Sequence, residues 1–479
     1  MTDDTAAIQA ALNAAAANQV VYLPAATYLI KSTLIMNKSN VSIRGDGPAA
    51  TILNYTGSGI GIKATQYAPE WSAQVSVSSA ATQGSNQVTL SSASGISVGD
   101  LVIISQTNPS YATLTGQDGL LSWAGAPGPT GGRTNDPNRG MAQVDRVSGI
   151  SGNTLTLERP LSLTFPSANA PVISHLTPTY GIGIESLQIY RTGTGGTGGD
   201  ASSIDLEGVA ESWVKNVASI NHPGTANYAH VLFQSAYACE VRESWFQGGG
   251  INGGGQDYGV YLTNNTSDML TEDNVFVGMR HSLIIAGDSS GNVYGYNYAA
   301  GNYESDSTDC LSQDIDLHGG EPYMNLFEGN IVADIYFDDV WGGNAYNTAY
   351  RNWAIAYSSG TSLPTYCRRA VTLEAATNSA NIVANVLGRP GDSSTTDSLF
   401  DPTAKNTLFY QGNFSFLSNS ASWISGAVTL PASLYYGSSA MPAKPLWWGT
   451  TLPWPAFGPD LATKNGQTPA LLRFNAHVL

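Results

Sequence analysis

Between Asp314 and Glu374 the chain carries the residues best suited to bond-breaking chemistry: Asp314, Asp316, Asp339 and Glu374, with His318 among them. Two facing carboxyl groups can divide the cleavage of a glycosidic bond. One, kept protonated, donates to the leaving oxygen. The other, ionised, activates water or attacks the sugar. Asp316 and Asp339 are the candidates for a close pair, and Asp314 or Glu374 for the wider partner of an inverting reaction. His318 is placed to orient a carboxylate or hold substrate. Trp341, Phe337, Tyr261 and Tyr303 offer flat apolar faces for sugar rings. β-Elimination is the runner-up. It needs a uronic substrate, a basic or phenolic proton acceptor and often Ca²⁺. Arg280 and Arg368 flank the acidic patch, and Asp306, Asp309 and Glu321 are the residues that would hold Ca²⁺. No cofactor is required for hydrolysis. A glycan-binding module without catalysis is the third reading, which a carboxylate cluster does not require and which trimer formation would favour; a monomer is the simpler assembly. Zinc chemistry lacks support, because His281 and His318 have no third ligand at a familiar spacing. No nucleophile elbow surrounds any Ser.

Such residues need a scaffold that stacks them, and a returning phrase supplies one. An apolar-alternating run ends in Asn at 216, 274, 297, 330, 352, 385 and 413, with Ser244 filling the slot after Asn216. The steps are 28, 30, 23, 33, 22, 33 and 28 residues. Repeats of this size read as a solenoid whose units bury their apolar faces only against neighbours. The unit is strand, turn, strand with no helical period, which predicts a β-helix coil. Asn at the same turn of successive coils can stack its amide on the next and tolerates left-handed backbone.

The strand before each Asn can be registered. The segments are Ile204-Asp205-Leu206, His230-Val231-Leu232, Val260-Tyr261-Leu262, Leu283-Ile284-Ile285, Ile315-Asp316-Leu317, Asp338-Asp339-Val340 and Val371-Thr372-Leu373. Alternate residues face opposite sides. One outward column then runs Asp205, Val231, Tyr261, Ile284, Asp316, Asp339, Thr372. A second runs Glu207, Phe233, Thr263, Ala286, His318, Trp341, Glu374. Asp314 points outward beside Phe337, and Asp338 falls awkwardly inward. Like charges opposite one another on adjacent strands destabilise a sheet, so Asp316 against Asp339 implies a shared proton, a metal or a function.

The start, Asp3-Asp4-Thr5-Ala6-Ala7-Ile8-Gln9-Ala10-Ala11-Leu12, reads as a helix capped by Asp4 or Thr5. Strands ending Tyr22-Leu23-Pro24, then Thr27-Tyr28-Leu29-Ile30 and Ile43-Arg44-Gly45-Asp46-Gly47, follow. This segment resembles the N-terminal part of the pectate-lyase superfamily, which includes right-handed parallel β-helix enzymes and many phage tailspikes. The resemblance implies an all-β right-handed solenoid whose first helix covers an otherwise open sheet edge. The polygalacturonase branch is similar in placing several Asp and a His on one sheet face, and His318-Gly319-Gly320 is a partial echo of its motif. The resemblance serves hydrolases, lyases and tailspikes alike.

The domains expected are 1–65 for the cap and first coils, 66–175 for a β-rich insertion with a long loop over Trp123–Arg139, 176–415 for the coils carrying the site, and 416–479 for an aromatic strap. A net charge of −16 argues against nucleic-acid partners and against an unneutralised anionic glycan. No run of 18 apolar residues suggests a membrane span. Met1-Thr2-Asp3-Asp4 reads as an introduced start or a mature end, and a secreted enzyme is expected. Cys239, Cys310 and Cys367 make no disulfide framework; free thiols are expected, with Cys310–Cys367 the weaker alternative.

Overall fold

Three-residue strands cannot bury an apolar face alone, and here each finds its partners one coil away. The computed structural model describes residues 2–479 apart from 66–73, 108–138, 140, 194–200, 226, 252–254, 303–312, 319, 340–342, 357–368, 375–376, 392–399, 403–407, 425 and 438–440. Among the described residues, three long sheets of ten, eleven and twelve strands run the length of the molecule. The chain visits them in rotation. Ile204–Glu207 joins the ten-stranded sheet, Trp213–Lys215 the eleven-stranded, Ala218–Asn221 the twelve-stranded, and Ala229–Gln234 returns to the first. The architecture is a right-handed parallel β-helix, as the repeat and the resemblance predict. Coils are counted below from Ile204.

The core is a set of stacked apolar columns. In the ten-stranded sheet Ile204, Val231, Val260, Leu283, Ile315, Ile335 and Val371 form one. Leu206, Phe233, Leu262, Ile285, Leu317, Phe337 and Leu373 form the next, and all of them are fully buried. Each such side chain contributes roughly 1.5–3 kcal/mol by leaving water.

The asparagine ladder is present from Asn274 to Asn413. Asn274, Asn297, Asn330, Asn352 and Asn385 each donate Nδ2–H to the Oδ1 of the next, at 2.9–3.0 Å. The same Oδ1 atoms accept the preceding backbone N–H at 2.9–3.0 Å. Ser244 feeds the ladder through its backbone N–H to Asn274 Oδ1 at 3.0 Å. Asn216 does not belong to it. Trp213 to Lys215 pair with Glu240 to Arg242, which sets Val217 opposite Ser244, and Val217 N–H donates to Ser244 Oγ. The left-handed residue of the turn precedes the ladder position: Glu243, Asp273, Tyr296, Arg351 and Ala384 have φ between 50° and 59°. Asn216, with φ 52°, occupies that left-handed place instead. A second ladder, unforeseen in the sequence, joins Asn292, Asn325 and Asn347 at 2.9 Å per step. Its members stand five residues before Asn297, Asn330 and Asn352, bracketing the same short strands.

The helix Thr5–Ala14 covers the first coil with Ile8 and Leu12. Asp4 holds the N-cap position, as the sequence allows, but its side chain makes no capping bond; it accepts Leu29 N–H, while Asp3 Oδ1 accepts Thr5 N–H at 3.1 Å and Thr5 Oγ accepts Lys31 N–H. Between residues 75 and 176 the chain leaves the helix to form a six-stranded sheet. It packs on a row of solenoid turns: Arg159 pairs with Asp268, Arg146 with Glu211, and Tyr323 O–H donates to the carbonyl of Ala142.

The C-terminal residues fold back over the twelve-stranded side. Tyr436, Trp448, Trp454 and Phe457 cover Tyr296, Ile331, Val386 and Phe414. Arg351, nearly wholly buried, holds Asp460 bidentately at 2.9 Å and donates to the carbonyls of Phe457 and Pro431. The final helix, Pro469–Ala476, stacks Phe474 on Trp245 and sets Arg473 on Asp273 at 2.5 Å. Cys239 is a free, buried thiol; Cys310 and Cys367 lie outside the described residues.

Candidate active site

The outward face of the ten-stranded sheet carries the acidic patch, in a register that differs from the sequence reading at two coils. Leu232, not Val231, stands between Asp205 and Tyr261, and Val231 is core. In the sixth coil the strand is Ile335-Tyr336-Phe337, so Asp316 pairs with Tyr336 and not with Asp339. The physical reason is burial: this frame encloses Ile335 and Phe337, whereas the frame on Asp338 and Val340 would enclose a carboxylate. The corrected first column is Asp205, Leu232, Tyr261, Ile284, Asp316, Tyr336, Thr372. Phe337 is therefore a core residue and presents no surface to a sugar. Asp338, one residue past Phe337, faces out beside His318 and Glu374.

This puts Asp316, His318 and Asp338 in one cluster, with one ligating atom from each within 4.8 Å of the others. His318 Nδ1 lies 2.5 Å from Asp338 Oδ2 and 3.4 Å from Asp316 Oδ2. Burial pushes the Asp316 carboxyl well above the usual range, and the charge of Asp338 and a hydrogen bond to it push the same way. Burial holds His318 below its ordinary value. A neutral His318 donates Nδ1–H to Asp338, and a protonated Asp316 donates its O–H there too. Two donors then converge on one ionised carboxylate, the environment that keeps a carboxylate charged.

His281 completes this corner and was missed in the sequence, where it was weighed only as a zinc ligand. Its Nδ1 lies 2.9 Å from the carbonyl of Gln313, which can only accept, so Nδ1 carries the proton. Burial holds the ring well below its ordinary value, hence neutral. Nε2 is then a lone pair 3.5 Å from Asp316 Oδ2. Tyr258 stacks on His281 at 5.5 Å, and Arg280 donates to the Tyr258 hydroxyl at 3.0 Å. Tyr261 sits half-buried among Tyr228 and Tyr258.

A second carboxyl pair lies on the following coils. Glu374 accepts the Tyr336 hydroxyl, and its Oε2 accepts Asp339 N–H at 3.0 Å. Burial and a hydrogen bond with the Asp339 carboxyl raise the Glu374 value. Both acids are half-exposed, whereas Asp316 and Asp338 lie deeper. Asp314 is not on the outward face. It is buried in a turn, where Oδ1 accepts Ser282 O–H and Oδ2 accepts Ala333 N–H, both at 2.7 Å. Glu321 is buried away from this cluster. Tyr303, Asp306, Asp309, Trp341 and Arg368 lie outside the described residues. A cation would be held, if at all in this patch, by Asp316, His318 and Asp338, the grouping that brings three ligating atoms together among the described residues.

The buried acids set a pH dependence of stability. Burial raises Asp257 to about 7 and Asp314 to about 6. A carboxyl raised on folding stabilises the fold while protonated and loses that contribution as pH rises through the folded value. His230, depressed to about 3, and His281 act oppositely, and only below the ordinary histidine value. Between pH 6.5 and 8 the carboxyls act alone. The melting temperature is expected to fall by roughly 1 °C across that interval, chiefly through Asp257, and the gain on further acidification to flatten. Calorimetry at four pH values checks it; a flat or rising profile would show these acids ionised in the fold.

Comparison with known proteins agrees with this architecture. Residues 1–115 match the family model described as rhamnogalacturonase A/epimerase, pectate lyase-like, which bears out the resemblance read in the N-terminal residues. Among solved structures the chain is similar to the tailspike of Pseudomonas phage phi297, with TM-score 0.62 and 14% identity over 86% of this chain and 62% of that one. It is also similar to the tailspike protein of Pseudomonas phage LKA1, with TM-score 0.60 and 18% identity over 86% of this chain and 69% of that one. The chain thus spans less than two thirds of the first tailspike, and at these identities the likeness is one of fold. No curated protein sequence matches.

Proposed function

We propose that the chain is an extracellular carbohydrate-active enzyme that hydrolyses a neutral or weakly charged polysaccharide along the ten-stranded face. The observation that carries this reading is the pair of carboxyl pairs, Asp316–Asp338 and Asp339–Glu374, set on consecutive coils to either side of Tyr336. Glu374, half-exposed and raised, is the acid that protonates the leaving oxygen. Asp338, kept ionised by His318 and Asp316, is the base that takes a proton from water. The acid Glu374 and the base Asp338 stand opposite one another on adjacent coils, about 4.8 Å apart at the backbone, so room for a water between them requires the two carboxyl groups to splay apart. Tyr261 and Tyr336 offer ring faces beside the cluster.

The rhamnogalacturonase and epimerase named for the matched family support a glycan substrate. Elimination is the weaker reading. The basic side chains whose charge reaches Asp316 are His318, which burial holds below its ordinary value, and Arg280, which is engaged with Tyr258, while four acids surround the position a uronate would take.

A panel of neutral and uronic polysaccharides, assayed with Ca²⁺ and with EDTA, tests the proposal. New reducing ends without ultraviolet absorbance of unsaturated products are expected, with hydrolysis itself not requiring the metal. Absorbance confined to uronic glycans would replace hydrolysis by elimination. Binding without either product would make the chain a glycan-binding module.

A further inference from the structure

Away from the proposed site, a second stack of polar side chains runs through the turns that follow the ten-stranded sheet. Asn265, Asp288 and Glu321 occupy equivalent places in consecutive coils. Each has left-handed backbone, with φ 61°, 57° and 70°. Asn265 N–H donates to Gly287 O at 2.6 Å and Asp288 N–H to Gly320 O at 2.5 Å, so the three stack at the coil spacing of about 4.8 Å. All three are at least 96% buried.

The arrangement copies the asparagine ladders with acids in two of its places. Asn265 Nδ2–H points to Asp288 Oδ2 at 3.5 Å. An amide both donates and accepts, so an amide ladder propagates. An ionised carboxylate only accepts, so nothing passes from Asp288 to Glu321. Glu321 bears the consequence. It is completely buried, and neither carboxyl oxygen has a hydrogen-bond partner among the described residues. Asp314 shows the contrast: equally buried, it has a hydroxyl and an amide donor. Burial raises Glu321 far above the glutamate range, and the neighbouring charge acting on it is that of Asp288, of the same sign.

We propose that Asp288 and Glu321 hold a divalent cation, with an all-oxygen donor set suited to Ca²⁺. The ion takes the place in the ladder that an amide donor fills elsewhere. Its location gives it a structural task. Glu321 lies three residues after His318 and two before Tyr323, whose ring packs in the core of the insertion. A cation there fastens the turn that joins the proposed site to the insertion. The inference does not depend on hydrolysis, and it replaces the acidic residues Asp306 and Asp309 as partners of Glu321.

The test uses the full chain, treated with EDTA, desalted and then returned to millimolar calcium chloride. Elemental analysis after gel filtration is expected to find about one Ca²⁺ per chain. Thermal unfolding is expected to rise by several degrees in calcium over EDTA, as mass action requires for a ligand of the folded state. Glu321→Gln, and separately Asp288→Asn, should lose both the ion and the response. Identical unfolding of the parent chain in calcium and EDTA, with no retained ion, would overturn the proposal without any variant. So would an ion kept by Glu321→Gln, which would place it elsewhere, for example at Asp316, His318 and Asp338.

Discussion

Asp338→Asn is expected to fold as the parent does and to lose on the order of a thousandfold in turnover on polysaccharide. Glu374→Gln should fall by a similar factor, and the two losses are separable. A substrate with a strongly acidic leaving group, such as a nitrophenyl glycoside, needs little protonation. It should restore much of the Glu374→Gln rate and none of the Asp338→Asn rate. Asp316→Asn should lose less than Asp338→Asn, because its amide still donates to Asp338. The alkaline limb of the pH profile should vanish in Glu374→Gln, because the parent loses activity as pH rises through the raised Glu374 value. Equal rescue of both variants, or no loss in either, would remove the acid and base roles assigned to these pairs.

The second large effect concerns folding. Asn330 accepts from the backbone and side chain of Asn297, and donates to Asn352 Oδ1 and to the carbonyl of Tyr294. Asn330→Ala strips the acceptor from the Asn297 backbone and side-chain N–H groups and one donor each from the Tyr294 carbonyl and from Asn352 Oδ1, which keeps the backbone N–H of residue 330. At roughly 1–3 kcal/mol for each buried group left unmade, partly relieved by relaxation, the loss is about 3–5 kcal/mol. Asn216→Gly, at a residue that looks like a ladder member in the sequence, should change stability by about 1 kcal/mol at most. Its side chain makes one bond, to Ser186, and glycine accepts its left-handed backbone. Thermal unfolding and protease resistance of the two variants decide the point. A comparable loss in both would contradict the ladder's position.

That contrast shows what the sequence made legible. Alternation and period exposed the solenoid, its core columns and the ladder from Asn274 onward, because those features repeat and each copy supports the others. What failed were single coils where two frames compete. In the sixth, Ile335-Tyr336-Phe337 and Asp338-Asp339-Val340 lie end to end, and repetition alone cannot choose between them. Burial can, since only the first encloses two apolar groups, and the awkward inward placing of Asp338 was the available sign. His281 carried no such sign. Its role arises from a backbone carbonyl at Gln313, 32 residues further on, and tautomer locks of this kind leave no trace in residue spacing. The second ladder was visible as asparagines five apart, but only once the turns on both sides of a three-residue strand were considered.

The folded-back C-terminus changes how the molecule would respond to a pull. A bare solenoid tugged at its end would peel coil by coil from its last strand, each coil resisting separately. Here the last helix grips Trp245 in the second coil and Asp273 in the third, while Arg351 in the sixth coil anchors the preceding strap. Tension applied at Leu479 therefore bypasses the final coils and loads the middle of the stack in shear. The terminal coils are shielded from unwinding until that grip slips, and the coils bearing the acidic pairs lie within the span the strap ties together.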